Sequence, residues 1–404
     1  ESVVMTSPGR CAFAAGIFQD AAGNLGLATS GGAIQSNRNT PYIDSIEFFS
    51  STGKLSNFLN QGDTVTMRVN LPQVGFLNTA SGSPTLKLMI GTEQVLATFL
   101  SGGESPNGTT QLLFKYTILS GQTDTDGIAI SLNALALNGA VLTDTSGNAA
   151  LLTSSAVTSN ASYIVDTTAP ILKTMVFDKS SLKTSETATV TFTFSEDVSS
   201  TFTWNGTAGD LSLTGGTLSA ISSFELSGSD YVATATFTPT AGSTATGIVS
   251  TALAAYSDAA GNAGNVGNSA SIAIDTVAPS LTTMNISGAS GILSNTLNAG
   301  DVVEVTASFN EAVVINATGN KPQVQLNIGG TLVYAAYASG SGTTDLLFNY
   351  TILAGQNDVD GISYSANALG LNSGTLLDAV GNAANITADL RADNLNYKVD
   401  TSAP

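Results

Sequence analysis

The feature that most constrains this chain is a short tag that returns at domain-sized intervals. It reads Ile164-Val165-Asp166-Thr167-Thr168-Ala169-Pro170, then Ile274-Asp275-Thr276-Val277-Ala278-Pro279, then Val399-Asp400-Thr401-Ser402-Ala403-Pro404. A degenerate copy, Asn39-Thr40-Pro41, lies upstream. A tag repeated at one-domain spacing marks the joints of a string of similar modules. Each interval between its prolines accommodates one antiparallel sandwich of roughly 100 residues. The chain is therefore expected to divide into the remnant of a preceding module, 1–40, and three modules, 41–170, 171–279 and 280–404.

Modules 1 and 3 are close relatives. Asn60-Gln61-Gly62-Asp63-Thr64-Val65-Thr66-Met67 matches Asn298-Ala299-Gly300-Asp301-Val302-Val303-Glu304-Val305, a turn followed by an alternating strand. Leu112 to Leu119 likewise matches Leu346 to Leu353, and Gly121 to Ile128 matches Gly355 to Ile362. Module 2 is a shorter variant, with alternating runs at Ala188 to Phe194 and Tyr231 to Phe237. Thr-rich, β-branched runs punctuated by Gly, Ser and Asn leave almost no room for helix, so Ser131 to Leu137 is read as a strand. The expected fold is all-β: tandem immunoglobulin-like antiparallel β-sandwiches in an elongated rod. Residues 1–40 read as a last hairpin, with a strand over Cys11 to Gln19, a turn at Asp20 to Asn24 and a weak strand from Leu25 to Ile34. A hairpin alone is marginal in water and needs a missing half or a neighbouring chain.

Composition narrows the chemistry. Histidine is absent, which excludes imidazole acid–base work and His metal ligands, and Ser/His/Asp or Cys/His arrangements with them. One cysteine, Cys11, allows no intrachain disulfide. Acidic residues outnumber basic ones 30 to 12, giving a formal charge of −18. Nucleic acid and anionic lipid are poor partners for such a surface, whereas cations are good ones. No apolar run approaches the roughly 20 residues of a membrane span, and residues 1–20 lack a signal peptide's order, so a processed form or an excised piece is expected.

Every module carries Asp-x-x-Gly-Asn before its last strand: Asp144 to Asn148, Asp258 to Asn262 and Asp378 to Asn382, besides Asp20 to Asn24. Gly with Asn suits a turn that needs positive φ, and Asp caps it, so any single copy is also explained as a plain turn. In an immunoglobulin-like sandwich this F–G loop faces the preceding joint, as does the end of strand B, where module 2 has Phe194-Ser195-Glu196-Asp197 and module 3 has Phe309-Asn310-Glu311. Joint 1/2 is thus expected to collect Asp124, Asp126, Asp166, Glu196, Asp197 and Asp258, with Asn262. Joint 2/3 is expected to hold Asp275, Glu311, Asp378 and Asn382, and fewer ions, because the module 2 loop Pro239 to Thr244 carries no acid. Asp358, Asp360 and Asp400 form half a site at the far pole. In module 1 strand B is read as ending at Val69-Asn70-Leu71-Pro72-Gln73 without the Glu. Carboxylates gathered at one pole repel unless a cation sits among them, and oxygen ligands without His or Cys indicate Ca²⁺; a solvated acidic pole is the simpler alternative.

The Asp-Thr-x-Ala-Pro joints, Phe194-Ser195-Glu196-Asp197 and Tyr256-Ser257-Asp258-Ala259-Ala260-Gly261-Asn262 resemble the bacterial immunoglobulin-like repeats of giant secreted adhesins and other surface proteins of Gram-negative bacteria. The resemblance covers almost all of 41–404 and implies a non-enzymatic extracellular stalk, stiffened by interdomain calcium, that projects a binding domain from the cell. Its partners would be neighbouring modules of the same or another chain and an unidentified surface receptor. The alternatives are a carbohydrate- or protein-binding module, for which Phe202 and Trp204 are the candidates although strand alternation places both in one core, and a filament or surface-layer subunit completed by strand addition through residues 1–40.

Overall fold

The computed structural model describes residues 5–7, 10–11, 40–104, 106–264, 268–316 and 320–403. Among them every regular element is a β-strand. The sequence dictates this directly: Ala188–Phe194 alternates small or polar residues with buried ones, and Gln323–Ile328 does the same, so each strand turns one face inward. The expected strand at 131–137 is present as Ala129–Ala136. The expected hairpin of 11–34 lies outside the described residues, apart from Arg10–Cys11, which pairs with Met5–Ser7.

The chain divides into two compact units. One runs through Ala169 and takes in Ala259–Asn262; the other comprises Pro170–Asp258 and the residues from Ala263 on. In the first unit Thr64–Asn78 pairs with Ser45–Thr52 on one side and Thr109–Thr117 on the other, and the sheet continues through Glu93–Ser101 and Thr85–Ile90 to Ala129–Ala136. A small second sheet joins Phe58–Leu59, Ile164–Asp166 and Thr123–Asp124. Residues 281–400 of the second unit repeat this plan, with Val302–Ile315 as the long strand and Thr296–Leu297, Lys398–Asp400 and Asn357–Asp358 as the small sheet. Residues 172–275 form a shorter sandwich of a five-stranded and a four-stranded sheet.

One expectation needs correction. The long strand of module 1 does not end at Gln73 but continues to Asn78. Its register with Thr109–Thr117 breaks between Asn70 and Gly75, and beyond the break Phe76, Leu77 and Asn78 pair with Val141–Thr143. The break accommodates Pro72, which has no N–H for a ladder and is exposed.

The described residues form three separate cores. Those around Phe114 and Phe348 are mainly aliphatic. The one in 172–274 is aromatic, with Phe194 against Phe202 at 4.9 Å and against Tyr256 at 5.1 Å between ring centroids. Edge-to-face and tilted contacts of this kind add to plain burial. Tyr256 also accepts a hydrogen bond from Leu172 N at 2.9 Å, and Tyr364 donates to the Met284 carbonyl, so a core tyrosine ties down the first strand in each case.

Candidate metal centre

The tag folds the same way three times. Its aspartate accepts a hydrogen bond from the amide two residues on: Asp166 from Thr168, Asp275 from Val277 and Asp400 from Ser402. Such Asx turns end a strand without leaving donors bare. The threonine that follows clamps a distant loop. Thr167 accepts from Gly121 N and donates to the Gln122 carbonyl, Thr401 does the same with Gly355 and Gln356, and Thr276 binds Ser243 N and the Thr240 carbonyl. Just before the aspartate, Val165, Ile274 and Val399 each pair in parallel with a leucine, Leu59, Leu182 and Leu297.

The Asp-x-x-Gly-Asn loops are capped turns, as their residue types require. Asp144 Oδ1 accepts from Ser146 N and Asn148 N at 2.8 Å, and Asp378 Oδ1 accepts from the amides of Val380, Gly381 and Asn382 at 2.6 to 2.9 Å. Gly147, Gly261 and Gly381 all have φ between 84° and 96°, where a Cβ is strained.

Within the second unit the predicted residues Asp275, Glu311, Asp378 and Asn382 come together. Asn382 is 2% exposed. Its Nδ2 donates to the Asp275 carbonyl at 2.9 Å and to Asp378 Oδ2 at 2.7 Å, and its Oδ1 accepts from Thr184 N at 2.7 Å. Glu311 lies in Val302–Ile315 where the register breaks between Ser308 and Val313. Its Oε1 is buried and has no hydrogen-bond partner. Burial pushes the Glu311 carboxyl above the usual range, and the charges of Asp275 and Asp378 push it further. A buried carboxylate oxygen without a hydrogen-bond partner, in the field of two more carboxylates, is a donor of the kind that hard divalent cations take.

In the first unit Asn262 Nδ2 donates to the Asp166 carbonyl at 2.9 Å, and Asn60 Nδ2 donates to the Ala260 carbonyl at 3.0 Å. Asp166 belongs to this unit; Glu196, Asp197 and Asp258 belong to the second. Asp258 is 4% exposed, and Asp197 caps Ser199 N at 2.9 Å.

Asp124 and Asp358, both 3% exposed, sit deeper than loop ligands do. Asp124 accepts from Gly127 N at 2.9 Å, and Asp358 from Gly361 N and Gly329 N at 2.7 and 2.8 Å. Burial pushes both carboxyls up, and their neighbours Asp126 and Asp360 add to the effect. Asp126, at the surface, is held below its usual range by Ser159 and then by Asp124. These buried carboxylates already hold their loops, and any cation role is shared with that duty. Asp400 is exposed beside Asn357, its strand partner.

Sequence reading missed the residues that receive the loops. Asn60, Lys183 and Asn298 each follow the leucine paired to the tag, and each backbone N–H is capped by the acid three residues on, Asp63, Glu186 and Asp301. Lys183 Nζ donates to the Gly381 carbonyl at 3.4 Å. The buried leucine followed by a turn acid was the only available signal. Phe202 and Trp204 are core residues, 1% and 8% exposed, and Trp204 Nε1 donates to the Leu218 carbonyl at 3.3 Å.

These features define an all-β protein built from immunoglobulin-like sandwiches. Residues 166–274 match the model of a bacterial Ig-like domain family. No curated protein sequence matches the chain. Among solved structures, FdeC, an Escherichia coli adhesin, aligns over 88% of this chain and 96% of its own at 17% identity and a TM-score of 0.25. The surface-layer protein SbsC aligns over 90% of this chain and 55% of its own at 11% identity and a TM-score of 0.20. Among the described residues no helix is long and apolar enough to cross a membrane.

Proposed function

We propose that this chain is a non-enzymatic extender of a bacterial surface adhesin or filament, whose module joints are stiffened by calcium. The observation that carries the reading is the buried, unpartnered Oε1 of Glu311, whose carboxyl shares its surroundings with Asp275 and Asp378. Among the described residues no ion pair joins a lysine or arginine to these carboxylates; Lys183, the register partner of Asp275, gives its Nζ to the Gly381 carbonyl instead. A cation bound there offsets both the burial and the repulsion, and it stabilises whichever arrangement gathers its ligands.

The same residue types recur in the same order one module earlier, as Asp166, Glu196, Asp258 and Asn262, with Asp197 beside Glu196 and with Asp124 and Asp126 in a preceding loop of module 1. On the repeat's own logic that joint is the more acidic and the stronger site. Asp358, Asp360 and Asp400 would serve a further module. The tag, the loop and the strand-end glutamate then act together: the tag ends one sandwich, the loop of the next sits on it, and the ion bridges the two. The match of residues 166–274 to a bacterial Ig-like family supports an extracellular, cell-surface setting.

The test is small-angle scattering of the chain during a calcium titration after chelation, comparing the unaltered protein with an Asp166→Asn, Glu196→Gln double variant. The maximum dimension of the unaltered chain should become better defined across about 0.1 to 1 mM calcium, the usual range of extracellular modules. The double variant should respond less. Identical curves for the two proteins would remove the calcium role from the first joint.

A further inference from the structure

The two loop-receiving positions with seated loops differ in charge. Asn60 and Lys183 are equivalent by structure, since each follows a buried leucine paired in parallel to the tag, Leu59 with Val165 and Leu182 with Ile274. Both send a side-chain donor to the backbone of an Asp-x-x-Gly-Asn loop, Asn60 to the Ala260 carbonyl and Lys183 to the Gly381 carbonyl. The first donor is a neutral amide and the second is the ammonium of the strand-register partner of Asp275. Beside it, Thr184 N holds Asn382 Oδ1 at 2.7 Å.

We infer that Lys183 is a resident cation that seats the Asp378–Asn382 loop, so that the joint between modules 2 and 3 stays closed without calcium. The inference goes beyond the calcium reading of the joints and rests on it only for the rescue of a Lys183 variant by calcium. Physically, a charge-assisted hydrogen bond is about twice as strong as a neutral one. The ammonium also places positive charge where the neighbouring joint, by sequence, has none. The loop Pro239–Thr244 adds no acid to this joint. Gly381 fits the lysine closely: a Cβ there would lie 3.0 Å from Lys183 Nζ.

The experiment uses the full chain with Cys11→Ser and a pair of spin labels on exposed positions, Ser227 and Thr331, for modules 2 and 3. Distance distributions are recorded in chelator and in millimolar calcium. With Lys183 intact, the 2/3 pair should give one narrow distribution in chelator. Lys183→Met should raise its open fraction about two- to fivefold, the loss expected for one long hydrogen bond, and calcium should close it again. Lys183→Arg, which keeps the charge, should stay narrow. A broad 2/3 distribution with Lys183 intact, or a narrow one for Lys183→Met in chelator, overturns the proposal. If Lys183→Met opens the joint and calcium does not close it, the lysine latch stands and the calcium reading fails.

Discussion

The loops Asp144–Asn148 and Asp378–Asn382 have the same residue pattern and different engagements. In both, aspartate Oδ1 collects backbone amides, and asparagine Nδ2 donates to aspartate Oδ2 at 2.7 Å. The described hydrogen bonds of the first loop's asparagine stay within its own loop. In the second, Asn382 also donates to the Asp275 carbonyl and accepts from Thr184 N, and Lys183 reaches the Gly381 carbonyl. The caps of the turn are local, and the seating on the tag at Asp275 is made by a separate set of interactions.

The largest effect expected from breaking this comparison comes from the caps. Asp378→Ala strips three backbone amides of their acceptor and should cost about 1.5 to 3 kcal/mol, the range for a bond to a charged group. Asp144→Ala should destabilise its own loop in the same sense, with amide exchange at 146–148 accelerated. Equal exchange before and after either change would show that the aspartate does not hold the turn.

Next come the asparagines, which separate turn from seating. Asn382→Ala loses bonds to the tag as well as to its own loop and should cost about 2 kcal/mol, whereas Asn148→Ala should cost under about 1 kcal/mol. Thermal unfolding of the two variants checks the ordering; equal costs would mean the contacts to Asp275 and Thr184 contribute nothing net. Glycine changes sharpen the same point. Gly147→Ala and Gly381→Ala both force positive φ, at about 1 to 2 kcal/mol. A Cβ at 147 meets nothing within 4 Å, while one at 381 meets Lys183, so only the second should also loosen the seated loop.

The smallest effect is a titration. Asn148, and then the backbone amides of its loop, hold Asp144 below the usual aspartate range. A depressed folded value means that this carboxylate's contribution is present above the ordinary value of about 3.9 and is lost as pH falls through the folded one. Asn148→Ala should move the Asp144 titration, followed by carboxyl-carbon NMR, back toward the ordinary value. No movement would assign the depression to the backbone donors alone.

What the sequence made legible was short-ranged. Asp-Thr and Asp-x-x-Gly-Asn carry their own caps within two to four residues, so their turns could be read directly. Alternation correctly put Phe202 and Trp204 in one core. Contacts set by distant partners were not legible. Pro72-Gln73 looks like a strand end, but the register break at Asn70–Gly75 lets Thr64–Asn78 run on and change partners. Asp124 reads as a loop acid, yet burial and the amides of Gly91 and Gly127 commit its carboxylate to the fold. Lys183 matches Asn60 in sequence only through the preceding leucine and the acid three residues on, and the parallel pairing to the tag makes the two equivalent.

The most direct test of the calcium-stiffened account is calorimetric titration of the chelated chain with calcium, alone and as the Asp275→Asn, Glu311→Gln and Asp166→Asn, Glu196→Gln double variants. The account predicts saturable binding with dissociation constants of about 0.1 to 1 mM, the tighter component lost in the second variant and the weaker in the first. Absence of saturable binding up to about 10 mM, well beyond the range of extracellular calcium modules, would contradict it, as would binding that both variants retain unchanged.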